Sequence, residues 1–491
     1  MSKRILLLIM CHLIAYTIMA QQKEKSEIQK MQDDFEKYKK EETEAFKNYR
    51  EQENKKFADY MKQEWEAFQA FKGTPVPKSP DPVKPLVKED PNKKPVDNPV
   101  PKGDIVPLPE PRPQAQPIEP MPVVPEKENP SIINFSFFSV PCSVVWNDSL
   151  KFHISALNGN VLAATWKRLA GKSYNNFLAN CIGLRSKLEL CDWGYVALVR
   201  RITESIYGSP KTNEAVLLQM FVLSQTGYKV RIAQVENDQL VLLVNTDYEM
   251  YGRMFLEIGD SNFYLIDANV KQLRVLNEGF PKEQPVSMRI ESEQLANKTE
   301  TVQKVFTSKA YPVEAIRTGV NKELMDFYNT YPQCDWKVYA NTPLSETVKN
   351  NLYPVLKSAV KEKSEAEAAN MLINFVQTAF EYKTDEEQFG YERSFFPEEV
   401  FYYPYSDCED RAFLYTTLVR DLLHLKVVLL HYPNHLATAV HFDEDVKGDY
   451  LILNNEKYLV CDPTYIGALI GDAMPQFKNV TAEIIELSSS K

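Results

Sequence analysis

Tyr405-Ser406-Asp407-Cys408-Glu409-Asp410-Arg411 runs without a break into Ala412-Phe413-Leu414 and an apolar stretch ending at Leu423. Ser406 or Asp407 is a natural N-cap, so the sequence predicts a helix whose first turn holds Cys408. Unpaired backbone N–H groups and the positive end of the helix dipole favour a thiolate there, and a lowered thiol pKa is expected. Upstream, Ala368, Met371, Leu372, Phe375, Val376 and Phe380 recur at helical spacing within 365–382. A polar loop, 383–393, follows, and then Ser394-Phe395-Phe396-Pro397-Glu398-Glu399. Downstream, 426–430, 435–442, 450–453 and 458–461 read as short strands separated by polar turns.

His435 opens the second of these strands and Asp462 closes the fourth, in the order Cys408, His435, Asp462 at intervals of 27 and 27 residues. Those residue types, on a helix start, a strand start and a strand end, form a nucleophile, a base and an orienting carboxylate. His441 lies an even number of residues after His435, shares its face and is the alternative base. His431 and His424 read as structural. No Cys-x-x-Cys spacing points to a metal, and no cofactor is implied.

Asp407-Cys408-Glu409-Asp410, His435-Leu436-Ala437-Thr438-Ala439-Val440 and Asp462-Pro463-Thr464 together resemble the transglutaminase-like (papain-like) cysteine enzymes of bacterial transglutaminase-core type, over roughly residues 365–470. The resemblance implies an α+β fold in which Cys408 is the nucleophile, His435 the general base and acid, and Asp462 the partner that orients the imidazole. The Cys408 N–H would supply one oxyanion donor, and Gln388 is the candidate for the second. The implied activity is hydrolysis of peptide or isopeptide amides through a thioester acyl-enzyme. Proteins, or peptidoglycan stem peptides, are the natural substrates. The alternatives are a transamidase and a non-catalytic cell-surface scaffold.

Residues 213–221 begin a second apolar helix, followed by strand-like runs at 228–232, 240–244 and 263–267. Asn213 to Asp267 is 54 residues, as is Cys408 to Asp462. The positions of the nucleophile and base hold Lys211 to Asn213 and Gln239 or Leu240, so this stretch is expected to be a degenerate copy without chemistry of its own. His153, Trp146, Trp166 and Trp193 read as core.

The remainder is not globular text. Of 31 prolines, 18 fall between Pro75 and Pro130, in Pro-x-Pro and Lys-Pro repeats that predict a polyproline II spacer. Before it, Phe35/Tyr38, Phe46/Tyr49, Phe57/Tyr60 and Phe68/Phe71 repeat every eleven residues, which puts all eight rings on one stripe of a long helix over 24–72. Such a stripe needs a second apolar face, from a coiled-coil partner or self-association. The expected organisation is a signal peptide at 1–20, the long helix at 21–72, the Pro-rich linker at 73–131, the degenerate domain at 132–300 and the transglutaminase-like domain at 301–491.

Lys3 and Arg4 before an apolar run to Ala20 have the layout of a Gram-negative export signal, which points to the periplasm, the cell surface or secretion. Without that leader 55 basic residues face 67 acidic ones, a net charge of −12 that disfavours nucleic acid as a partner. No second apolar run is long enough to span a membrane. Six cysteines follow the leader, and Cys181 and Cys191 are the expected disulfide pair.

Overall fold

The helix that opens the decisive stretch is Cys408–Leu423, and five strands follow it: Lys426–Tyr432, His435–His441, Asp449–Leu453, Glu456–Cys461 and Ala482–Glu486. The computed structural model describes residues 47–62, 85–109, 131–171, 174–236, 238–267, 273–295, 299–311 and 315–488, with scattered positions between 30 and 45. The described chain is α+β. The export signal, Phe46, Phe68 and Phe71 lie outside the described residues.

Numbered in chain order, the five strands stand side by side as third, fourth, second, first and fifth, every pair antiparallel. The middle of the chain repeats this plan. The helix Asn213–Gln225 is followed by Val230–Val235, Gln239–Asn245, Phe255–Ile258, Ser261–Leu265 and Leu273–Val275, again ordered third, fourth, second, first, fifth. The spacing match seen in the sequence is therefore a match of topology. One apolar cluster runs through both halves, from Trp166 and Phe221 through Met250 and Cys334 to Phe396 and Phe413. A bridge between Met250 and Cys334 joins them along the backbone.

The Pro-rich segment departs from the expected spacer. Asn98–Pro99 pairs in parallel with Asp449 and Tyr450 at one edge of the C-terminal sheet, while Lys102–Val106 pairs in parallel with Ala482–Glu486 at the other. In a flat sheet these two pieces would lie roughly 29 Å apart, at about 4.8 Å per strand. Only Val100 and Pro101 separate them. The five strands are therefore curled until their edges nearly meet, and residues 98–106 form the stave that closes the barrel. Val100 N–H donates to Tyr450 O at 2.8 Å, and Lys102 Nζ reaches Ile452 O at 2.9 Å from the opposite edge.

Val100 is buried with Leu430, Tyr432, Ala437, Leu451, Val460, Phe477 and Ile484 inside this barrel. Gly103 is required where it stands, because a Cβ would lie 2.9 Å from Ala482 O. Farther upstream Lys88 pairs with Asp472 at 2.6 Å, and Val87 bridges to Ile466. Extended Pro-rich backbone is close enough to strand geometry to pair wherever a neighbour offers an open edge and the prolines sit where no N–H is needed. That is why a spacer and a stave read alike in the sequence.

The aromatic helix docks on its own chain. Phe57 is buried against Trp166 and Phe280, with ring centroids at 4.6 and 5.0 Å. Asn54, also buried, accepts from Trp166 Nε1 at 3.0 Å and donates to Gln225 Oε1 at 3.0 Å. This part of the stripe therefore meets the middle domain rather than a coiled-coil partner, while Phe35 and Tyr38 are exposed. The expected disulfide is absent, and Cys181 and Cys191 are both free. Cys181 is buried inside its helix, and the Cys191 sulfur caps the next helix by accepting from Gly194 N–H at 3.4 Å. His153, expected in the core, has a side chain 83 % exposed beside Glu214.

The closing stave gives a direct prediction. Val100→Asp places a charge inside the barrel and should lower unfolding stability by about 2 to 4 kcal/mol in urea titration. Val96→Asp, four residues away on the same segment but 73 % exposed, should change it by no more than about 0.5 kcal/mol.

Candidate active site

The turn before the Cys408 helix is held by buried polar groups rather than by the cap alone. Tyr405–Ser406 pairs with Glu381–Tyr382, and the buried Arg411 guanidinium donates to Ser406 Oγ, Phe380 O and Gln377 O. Asp407 is the N-cap residue with extended backbone, and its N–H donates to Asp410 Oδ2 at 3.2 Å. Asp410 Oδ1 accepts from Phe395 N–H at 2.8 Å, which ties the preceding loop to the helix. Cys408 is thereby fixed as the first residue of the helix, fully buried.

His435 follows a two-residue turn in which Asn434 takes a left-handed φ of 88°. Its Nε2 meets Asp462 Oδ2 at 2.8 Å, with both side chains buried. Asp462 Oδ1 is occupied by Thr464 N–H at 2.9 Å, so the carboxylate cannot swing away. Gln377 fixes the loop beyond it, its Nε2 donating to Asp462 O, Tyr465 O and Ala468 O. The Phe477 ring lies parallel to the imidazole at a centroid distance of 5.0 Å, and Tyr432 stacks on Phe477. With Nε2 engaged by Asp462, the other ring nitrogen is Nδ1. That atom is buried and without a hydrogen-bond partner.

The Leu436 N–H faces the Cys408 sulfur and stabilises negative charge on it. The thiol is nonetheless pushed well above its ordinary pKa, first by burial and then by the negative charge of Asp407. The expected lowered pKa is therefore reversed. In this closed arrangement the thiol is neutral and donates to Glu409 Oε2 at 3.2 Å.

His441 stands at the far end of the strand, roughly 20 Å from His435 at about 3.3 Å per residue. Its Nδ1 is 3.0 Å from Lys457 O. His431 pairs with Glu483, and His424 is the left-handed C-cap of the Cys408 helix. Gln388 lies on the short helix Asp385–Phe389, with Oε1 buried and unpartnered. No hydrogen bond among the described residues joins it to Cys408 or His435. In the middle domain Asn213 takes the place of the cysteine as first residue of its helix. Its Oδ1 accepts from Leu240 N–H at 2.8 Å, the contact that corresponds to Leu436 N–H and sulfur. Gln239 is exposed there, and Asp267 is paired with Arg200 at 2.7 Å.

Sequence reasoning missed Gln377, Arg411 and Phe477, whose spacing from the three candidate residues carries no motif. It also missed that Asp385, Asp407, Glu409 and Asp410 come together as buried carboxylates beside the cysteine. No family model matches this chain, and neither a curated protein nor a solved structure matches it. Among the described residues no helix is long and apolar enough to cross a membrane.

Glu398, in the loop that leads to the site, is buried and accepts from Ser345 N–H and Oγ at 2.7 and 2.8 Å. Burial pushes its carboxyl up to about 7. A carboxyl raised on folding favours the folded state while protonated, so its contribution is full below about pH 4.5 and is lost as pH rises through about 7. Urea unfolding at a series of pH values should show Glu398→Gln flattening the decline in stability between those two values, by about 1 to 3 kcal/mol in total.

Proposed function

We propose that this protein is an exported, transglutaminase-like cysteine hydrolase acting on peptide or isopeptide amides. The observation that carries the reading is the buried His435–Asp462 pair, which leaves Nδ1 unpartnered at the strand end whose next N–H faces the Cys408 sulfur. The order of the three residues and the motifs around them support the transglutaminase-like reading.

In the proposed reaction the Cys408 sulfur attacks the substrate carbonyl while its proton passes to His435 Nδ1. Asp462 stabilises the imidazolium through Nε2–H. The unpaired N–H groups of the first helical turn face the developing oxyanion, with the Cys408 N–H as donor and Gln388 as the proposed second. The imidazolium then protonates the leaving amine as the carbon–nitrogen bond breaks, which leaves a thioester. Water, deprotonated by His435, attacks the thioester and releases the acid and the free thiol. An amine in place of water would give transamidation by the same steps. The middle domain, with Asn213, Gln239 and Asp267, keeps the framework without a nucleophile or base and contributes packing or substrate contacts.

The rival, a non-catalytic scaffold, has one observation in its favour: the cysteine is wholly buried with its thiol pushed upward. Turnover of a panel of peptide amides and isopeptides distinguishes the two. Hydrolysis should vanish in Cys408→Ala, and Asp462→Asn should lower kcat by about 10²-fold or more with little change in KM. Full turnover by Cys408→Ala on every substrate that the wild type cleaves would sink the hydrolase reading.

A further inference from the structure

The N-terminal helix docks only part of its aromatic stripe. Phe57 is buried against Trp166 and Phe280 of the middle copy, Tyr60 Oη accepts from Asn277 N–H at 3.2 Å, and Asn54 is bonded to Gln225. Phe35 and Tyr38 repeat the Phe57/Tyr60 pair two eleven-residue periods earlier, so they fall on the same stripe of the helix. Phe35 is nevertheless 63 % exposed.

The shared topology shows where the C-terminal copy carries the surface that corresponds to this dock. Gln225 stands twelve residues after Asn213 on its helix, and Arg420 stands twelve after Cys408. Val235 faces Gln239 across the first hairpin as Tyr432 faces His435, and stepping back along those strands matches Ala233 with Leu430. Their neighbours on the fifth strand are Val275 and Ile484, so Asn277 corresponds to Glu486.

Arg420 and Glu486, the counterparts of two residues that hold the helix in the middle copy, both line one cavity of about 260 Å³. Leu108, Leu425, Val427 and Leu487 give it apolar walls. An apolar cavity of about 150 Å³ is already enough to take a benzene ring. The Arg420 guanidinium, held by Asn341 Oδ1 at 2.9 Å and Ser488 Oγ at 3.3 Å, is a fixed planar cation of the kind that packs against aromatic faces.

We propose that this cavity docks the aromatic stripe around Phe35 of a second copy of the chain, as the middle copy docks Phe57 of its own. Within one chain Phe35 stays in solvent, so the contact forms between molecules, each offering a stripe and a cavity. It involves neither Cys408 nor His435 and is independent of the proposed hydrolysis.

The test is sedimentation of the mature full chain over a range of concentrations, with Phe35→Glu on the helix and Ser488→Trp at the rim of the cavity. Both positions are exposed, so both variants should keep the fold. The wild type should associate reversibly, and each variant should raise the dissociation constant by about tenfold or more. An equimolar mixture of the two variants should recover association, because each retains the half of the contact that the other has lost. A wild type that stays monomeric at its highest soluble concentration would overturn the proposal. So would association that Phe35→Glu abolishes and Ser488→Trp leaves intact, the pattern of helix pairing with helix, or association that Phe35→Glu leaves intact.

Discussion

Closure of the C-terminal sheet by its own upstream chain is the constraint on which the rest depends. Residues 98–106 pair with the two strands that would otherwise be open edges, and unpaired edges are both unsatisfied and prone to non-native pairing. The antiparallel pairing of His435–His441 with Glu456–Cys461 sets the start of the one beside the end of the other. There His435 Nε2 meets Asp462 Oδ2, and the Leu436 N–H faces the Cys408 sulfur. The loop after Asp462 crosses the barrel end and packs Phe477 on His435, with Lys88 holding the same loop from outside through Asp472.

Two copies of one plan differ chiefly in the residue at the helix start and the residue at the second strand. In the middle copy Asn213 makes the bond to Leu240 N–H that corresponds to the one between Leu436 N–H and sulfur. The N-terminal helix docks on that copy through Phe57 and Asn54. In the C-terminal copy polar residues are retained in a dry interior at real electrostatic expense. Burial pushes the thiol, Asp407 and Glu409 all upward, and Asp407 adds to the rise of the thiol, Glu409 to that of Asp407 and the thiol to that of Glu409. Such a concentration of perturbed groups is a common mark of functional sites.

Much of this was legible in the sequence, for identifiable reasons. Cys408 at a helix start followed from Asp407 ahead of an apolar run, and the strands that carry His435 and Asp462 followed from short apolar segments between polar turns. The repeated helix and strands in the middle followed from equal spacing. What escaped was non-local. The fifth strand, Ala482–Glu486, is a short acidic run whose pairing is set by the barrel. Residues 98–106 read as polyproline because strand and polyproline backbones share extended geometry. The carboxylate cluster joins Asp385 to a motif more than twenty residues away, and no periodicity links them. The lowered thiol pKa expected from the helix terminus failed because burial and a neighbouring carboxylate outweigh a few backbone N–H groups.

The central claim is that His435 acts on Cys408. The measurement that bears on it most directly is the rate of alkylation of Cys408 by iodoacetamide across pH, in the wild type and in His435→Ala, with Cys408→Ala as the blank for the other cysteines. A functional pair gives a wild-type rate at neutral pH about tenfold or more above that of the histidine variant. The variant should instead follow an isolated thiol, titrating at about 8.5 or higher. Superimposable profiles in the two proteins would contradict the claim and leave the cysteine as a buried apolar residue.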